Sequence, residues 1–439
     1  MLYVARYLPY LPADGSLTRT FHLVRAASEV ASVSLVGASH DPMNPRLDLV
    51  QHFCEQIHLL DSRLDSTPRT LSRLAGVARK LESRYPLARP LGYAASWARG
   101  QRQKRSVMRY LERSGTGVVA DLLSDGLYDL VVVEHSELAG MLVDVVRAWG
   151  GRCVADLHRV MWLAHLAESN APSERALVRE LEETERRIVA SYTRVTVTSA
   201  AEAARLEPLV PGTQVDVVPN GVDIGYFGAV RTMQGALEPA PTVIFTGLLS
   251  FEPNVDALRF FAADVWPLIR QRRPGTRFLV VGGGPVPTEV EVLASQPGIR
   301  LFVSVDDVRP FLASSTVAVA PLRIGGGTRV KVLEALAAGL PVVSTTLGAE
   351  GLDLTPERDL LLADAADEFA RSVLKLLDSR TQAQELAAHG GDMVRRLYSW
   401  DNIRAEFGAL LRQVLRAQAS ARGDGSSEEP GRSRGSASF

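Results

Sequence analysis

Cysteine is almost missing from this 439-residue chain: Cys54 and Cys153 are its only two. That excludes a disulfide framework and any cysteine-rich zinc or iron–sulfur site, and a reducing cytoplasm fits best. Charge imbalance is missing as well. The 49 basic residues face 50 acidic ones, which argues against a nucleic-acid binder held by bulk charge. No apolar run approaches the ~20 residues that cross a bilayer. The start, MLYVARYLPYLPADG, lacks the basic and long apolar regions of a signal peptide. The expectation is a cytoplasmic protein that touches a membrane only peripherally, at its inner face. No Asp-x-Asp occurs and no His, Cys or carboxylate set has metal-ligand spacing, so no metal or other cofactor is expected.

What the chain does contain is alternation. Short β-branched runs such as LYVA (2–5), VSLVG (33–37), YDLVVVE (128–134) and RCVADLH (152–158) are separated by helical patterns. The same rhythm resumes with TVIFTG (242–247), RFLVVGG (277–283), TVAVAP (316–321) and PVVST (341–345). Continuously apolar strands indicate burial on both faces, the mark of parallel sheets covered by helices. Two such series predict an α/β protein with two doubly wound domains, 1–225 and 226–397, and sites at the carboxyl ends of strands. Helices are expected at 18–30, 137–149, 173–191, 254–272, 328–338 and 365–377. The seam falls where GVDIGYFGAVRTMQGALEPAP (221–241) loses periodicity.

Two stretches stand outside this pattern. Residues 63–113 read as a helical insertion carrying thirteen basic residues against Asp65, Glu82 and Glu112. They form either a solvated helical pair or a surface for anionic lipid. Residues 417–439 lack apolar mass and read as a disordered tail.

The segment PLRIGGGTRVKVLEALAAGLPVVST (321–345) carries the chemistry. A buried strand ends at Pro321, and Gly325, Gly326 and Gly327 permit close backbone approach. A helix opening near Thr328 would then offer unpaired N–H groups to a phosphate. Arg329 and Lys331 would sit in its first turn, where cations oppose the helix dipole and an anion would relieve them. Glu334, one turn after Lys331, can accept hydrogen bonds from a ribose diol. The plainer reading is a tight turn with solvated cations and a paired glutamate.

This segment resembles the donor-binding element of retaining family-four glycosyltransferases, which have the two-domain GT-B fold. PYLPADGS (9–16), VPNGVD (218–223), TGLLSFEPNVDAL (246–258) and FLVVGGGP (278–285) agree in order, and a helix after Ser399-Trp400 (398–416) would cross back to the first domain. The resemblance spans about residues 1–415. It implies donor contacts at Gly15, Ser16, Gly247, Asn254 and Gly283, besides the glycine loop and Thr328, and a role for His158 facing the transferred sugar. His158, Arg329, Lys331 and Glu334 are its catalytic candidates. Gly326 stands where the family usually has a first glutamate, as in a GGGTRxKxxE subset. Asp156 would orient His158, while Glu134 and His135 are acceptor-side candidates. Glu180, Glu182, Glu183 and Glu185 read as a solvated helical face.

The function implied is metal-independent transfer of a sugar from a nucleotide-diphosphate donor, with retention. Its acceptor would be a saccharide, a lipid-linked compound or a small molecule. A nucleotide-sugar epimerase or phosphorylase of the same fold is the alternative. Absence of G-x-G-x-x-G after the first strand argues against a nicotinamide oxidoreductase. Joint presence of Arg329, Lys331, Glu334 and His158 argues against a non-catalytic scaffold.

Overall fold

The computed structural model describes residues 1–9, 15–38, 48–60, 115–161, 172–233, 241–325 and 329–417. The basic stretch 63–113, residues Gly326, Gly327 and Thr328, and the tail beyond 417 lie outside the described residues.

Seven strands form the first sheet: β1 (Leu2–Tyr7), β2 (Ser34–Ala38), β3 (Gln56–Leu60), β4 (Leu130–Glu134), β5 (Arg152–Asp156), β6 (Arg194–Val197) and β7 (Val215–Val217). Their order is β3-β2-β1-β4-β5-β6-β7, with every neighbouring pair parallel. The second sheet holds β8 (Thr242–Thr246), β9 (Arg277–Gly282), β10 (Ile299–Val303), β11 (Val317–Ala320), β12 (Val342–Ser344) and β13 (Leu361–Leu362). Its order, β10-β9-β8-β11-β12-β13, reverses direction beside the first strand of the sheet, as in the other half. Such a reversal opens a crevice beyond the carboxyl ends of the central strands. Helices cover both faces of each sheet, so β4 (LVVVE) and β11 (VAVA) are buried along their whole length.

Several elements differ from the sequence expectation for local reasons. The helix expected over 137–149 is two, Ser136–Met141 and Val143–Trp149. The one over 254–272 is Glu252–Phe260, a π-helical turn Phe261–Val265, and Trp266–Arg272. Pro267 cannot donate to the helical ladder there. The first helix begins at Gly15, earlier than expected, and runs to Ser28. β13 has two residues, too few to leave a periodic signal.

The last helix, Trp400–Arg416, returns to the first domain. Ser399 caps it, its hydroxyl accepting from Asn402 N–H. Ile403, Phe407 and Leu411 join Leu23, Val24 and Ala27 in one buried cluster, where burial of each large side chain contributes about 1.5–3 kcal/mol. The His22 ring stacks on Trp400 with centroids 4.3 Å apart. Where the chain crosses between the halves, Val222 N–H donates to Tyr398 O at 2.7 Å and Val222 bridges Ser399 in parallel. Gly221 is required at this crossing: a Cβ there would lie 2.6 Å from the Trp400 ring.

Candidate functional site

At the carboxyl edge of the first sheet, Glu134 and Asp156 end adjacent strands and sit opposite one another in register. Both carboxylates are fully buried, which is tolerable only if each is neutralised or hydrogen-bonded. Arg19, from the helix after β1, donates to Asp156 Oδ2 at 2.9 Å and to Oδ1 at 2.6 Å. Thr196 adds a 2.5 Å hydrogen bond to Oδ1. Burial pushes the Asp156 carboxyl up, but Arg19, His158 and Thr196 together outweigh it and hold the pKa below its ordinary value. Arg19 also donates to Pro219 O and Asn220 Oδ1, tying the inter-domain crossing to this network. Glu134 accepts from Tyr3 Oη and Thr20 Oγ1, each at 2.7 Å.

His158 sits above these carboxylates. Its Nε2 lies 3.4 Å from Asp156 Oδ2 and 3.7 Å from Glu134 Oε1, and its Nδ1 lies 3.2 Å from Ser16 Oγ. Asp156 thus faces the ring without a hydrogen bond to Nε2, and Ser16 comes from the loop-to-helix junction after β1. His135 packs on it with ring centroids 3.7 Å apart, and its Nε2 lies 3.3 Å from the same Ser16 Oγ. Burial, followed by the neighbouring His158, pushes the His135 pKa well down, so this imidazole is neutral. His135 has φ of 66° and is not a glycine, a conformation that costs about 1–3 kcal/mol and persists at functional sites.

Glu134, His135 and His158 bring one donor atom each to within 4.8 Å of one another, a cluster that spacing along the chain did not reveal because two strands build it. Both Glu134 oxygens already accept hydroxyl hydrogen bonds. The two rings stack at 37° rather than aiming their edges at one point. These residues therefore fit a hydrogen-bonded network better than a metal cage.

One sequence expectation is overturned nearby. Glu185 is no part of a solvated face: it is 1% exposed and accepts from Ser136 Oγ at 2.8 Å and Met161 N–H at 2.7 Å. Glu202, which sequence reasoning passed over, accepts from Val160 N–H, Thr198 N–H and Thr198 Oγ1. Together they hold the loop after His158. A carboxylate inside an arginine-rich helix gives no sequence signal of burial.

At the carboxyl edge of the second sheet, Lys331 is the centre. Its Nζ donates to Asn254 Oδ1 at 2.5 Å and stands 3.9 Å from the centre of the Phe245 ring. Asn254 in turn donates to Leu248 O at 2.8 Å. Gly247 is the residue this packing demands, since a Cβ there would lie 2.8 Å from Asn254 Nδ2 and 3.1 Å from Lys331 Nζ. Burial lowers Lys331 to about 7, against the pull of Glu334. Burial likewise raises Glu334 to about 7, opposed by Lys331. Among the described residues Glu334 has no hydrogen-bond partner, so its carboxylate is available to a ligand.

The helix opens two residues later than expected, at Val330. Arg329 thus precedes its first turn, and its buried side chain donates to Gly325 O at 2.7 Å and Leu347 O at 3.1 Å. It braces the glycine loop. Gly325 has φ of 95°, and a Cβ there would meet Pro253 at 2.7 Å. Gly283 faces open space. Asp256, two residues after Asn254, is held by Arg323 through two hydrogen bonds. The two edges meet: Arg205 pairs with Glu350 across the halves at 3.1 Å, and Arg329 feels Glu350 and Glu202, one from each half.

Two facing doubly wound domains with a returning terminal helix define the GT-B fold. The chain matches sucrose-phosphate synthase from Thermosynechococcus elongatus with a TM-score of 0.66 at 18% identity, covering 95% of this chain and 99% of that one. Anabaena HepE in complex with UDP matches with a TM-score of 0.59 at 12% identity, over 94% and 99%. Residues 240–379 match the family described as glycosyl transferases group 1. It is 28% identical over 244 residues to a GDP-mannose-dependent alpha-(1-6)-phosphatidylinositol monomannoside mannosyltransferase of Mycobacterium tuberculosis. That match covers 51% of this chain and 60% of the relative. A phosphatidyl-myo-inositol mannosyltransferase of the same species is 28% identical over 249 residues, 53% of this chain and 60% of that one. The chain thus spans about three fifths of the length of the curated relatives it matches.

Proposed function

We propose that the protein transfers a hexosyl group from a nucleotide-diphosphate sugar to an acceptor hydroxyl, with retention and without a metal. The observation that carries this reading is Lys331: a desolvated ammonium fixed by Asn254, one turn before a Glu334 that has no hydrogen-bond partner among the described residues. A pyrophosphate would restore full charge to Lys331, and a ribose diol would fill Glu334. The leaving diphosphate is then stabilised by preorganised protein groups. Thr328, Gly326 and Gly327 would complete the phosphate contacts in this reading, with first-turn N–H groups at Gly15 and Ser16 supplying donors from the other half. His158 holds the transferred sugar.

For the acceptor we propose a lipid-linked saccharide or polyol at a membrane surface, the substrate class that the mannosyltransferase relatives' names carry. Among the described residues no helix is long and apolar enough to cross a membrane, so contact would be peripheral, through the basic stretch 63–113. Binding of the full chain to anionic vesicles, lost in high salt, is the expected result. Binding indifferent to lipid charge removes that part.

The alternative of an epimerase gains from the cluster of Glu134, Asp156, His135 and His158. Its carboxylates are already engaged by Tyr3, Thr20, Arg19 and Thr196, which leaves no free carboxylate there for proton transfer. Thermal stabilisation by nucleoside diphosphates tests the reading directly, because a ligand of the folded state raises the melting temperature. GDP or UDP should stabilise the wild type and not Lys331→Ala. Chelator should leave turnover intact. Stabilisation by neither nucleotide sinks the proposal.

A further inference from the structure

Three neighbouring strands of the first sheet, in the order β1-β4-β5, send apolar rows from one face into a common core. The rows are Leu2 and Val4, Val131 and Val133, and Cys153 and Ala155, with Leu2 beside Val131 and Val131 beside Cys153 in register. Continuing each row toward the carboxyl edge gives Arg6 on β1, His135 after β4, and Leu157 then Arg159 after β5. Arg6 and Arg159 therefore leave the sheet on either side of His135. Strands two places apart are separated by about 10 Å, a gap from which two long arginine side chains can converge on one group.

The charge of these two guanidiniums is poorly answered within the fold. Arg19, a third arginine of this edge, is fully buried and bonded twice to Asp156. Arg6 is half-buried, and its Nε is closed off from solvent without a hydrogen-bond partner. The carboxylate it meets, Glu137, stands 3.9 Å from Nη1 and is itself partly exposed. Arg159 is exposed and donates from Nε to the Met161 thioether at 3.2 Å, a weak acceptor. Among the described residues Arg159 has no carboxylate partner. After burial and His158, Arg6 and Arg159 are the next to push the His135 pKa down, so the fields of both fall on this pocket. A planar fork of N–H donors matches the oxygens of a phosphate two at a time.

We propose that Arg6 and Arg159 form an anion subsite for a phosphate group carried by the acceptor, so that the hydroxyl to be glycosylated belongs to a phosphorylated molecule. The inference deepens the transferase reading by naming a group on its acceptor. It is separate from Lys331, which stands on the other sheet and serves the donor diphosphate. A lipid headgroup with a phosphodiester and a soluble phosphorylated polyol or sugar share this chemistry. Both guanidiniums bind and do not react: they fix where the acceptor sits.

The test is titration calorimetry on the full chain carrying Lys331→Ala, which removes the donor's phosphate contact. Inorganic phosphate, myo-inositol 1-phosphate and phosphatidylinositol in neutral detergent micelles are the phosphorylated probes, with myo-inositol as the uncharged control. Phosphorylated probes should bind, myo-inositol about tenfold more weakly or not at all. Adding Arg159→Gln should weaken phosphate binding by about 10–100-fold, the range for a hydrogen bond to a charged group. Arg6→Gln should do the same; Arg159 is exposed, so its variant decides the matter even where Arg6→Gln does not fold. Tighter binding of the soluble inositol phosphate identifies a soluble acceptor and tighter binding of the micelles a lipid headgroup, and either sustains the proposal. No binding of any phosphorylated probe, equal affinity for myo-inositol and its phosphate, or binding that Arg159→Gln leaves unchanged overturns it. So does an equal loss of GDP or UDP binding when Arg159→Gln is made with Lys331 intact, since the guanidinium would then belong to the donor. Failure of the transferase reading would appear separately, as absence of thermal stabilisation of the wild type by GDP or UDP.

Discussion

The two carboxyl edges solve the problem of buried charge in opposite ways. On the first sheet every buried carboxylate has partners: Asp156 lies between Arg19 and Thr196, and Glu134 accepts from Tyr3 and Thr20. On the second, Lys331 and Glu334 share one helix face at the edge of neutrality, both shifted by desolvation to about 7. One edge fixes its protonation states internally, whereas the other leaves its charge to be completed from outside. Shape and hydrogen-bond direction are the business of the first edge's buried groups; response to a charged ligand is that of the second's.

The contrast breaks most visibly if Arg19 is removed. Arg19→Met leaves Asp156 buried and unpaired, and should lower stability by about 3–5 kcal/mol in chemical denaturation. A loss below ~1 kcal/mol would mean that water already reaches that edge. Lys331→Ala should scarcely affect folding but cut turnover by about 100-fold or more; near-normal rates would end the phosphate assignment. Glu334→Ala should weaken nucleoside diphosphate binding by about 10–100-fold, the range for a hydrogen bond to a charged group. Asn254→Ala, which only frees the ammonium, should lower kcat/KM by about tenfold; a loss as large as that of Lys331→Ala would put Asn254 on the ligand itself.

The same pair gives a pH signature with a definite sign. Lys331 titrates near 7 when folded and at 10.5 when unfolded, so the unfolded chain binds more protons between those values and stability rises with pH there. Glu334 titrates near 7 folded against 4.5 unfolded, so its contribution falls as pH rises from 4.5 to 7. An anionic ligand favours the protonated ammonium, and nucleoside diphosphate affinity should therefore decline above pH ~7, by up to tenfold per unit. Calorimetric titration at several pH values checks this, and Lys331→Arg should flatten the slope.

Legibility in the sequence followed physical scale. Strand composition and the glycine-rich strand-to-helix turns exposed both sheets, because burial on two faces leaves uninterrupted apolar runs. Lys331 and Glu334 were visible since helical spacing sets them on one face; Asn254 entered through the family resemblance, and the structure joins it to Lys331. Arg329 was visible as a residue but not as a brace, because its role depends on carbonyls at Gly325 and Leu347. Glu185 and Glu202 were misread or missed, as nothing local tells a buried glutamate from a solvated one. The Ser16 bridge between His135 and His158 joins positions more than a hundred residues apart, and no spacing rule reaches so far.

The parallel bridge of Val222 and Ser399 means that the polypeptide passes twice between the halves at one place. Two covalent links side by side resist shear and stretching but permit rotation about their common line. Movement of the second sheet is thereby confined to a swing, with Trp400 as its bearing against His22 and Gly221. A bulkier residue at 221 would jam the pivot without touching either chemical edge. Its signature would be a slowed approach of the two halves, with the ligand affinities of each unchanged.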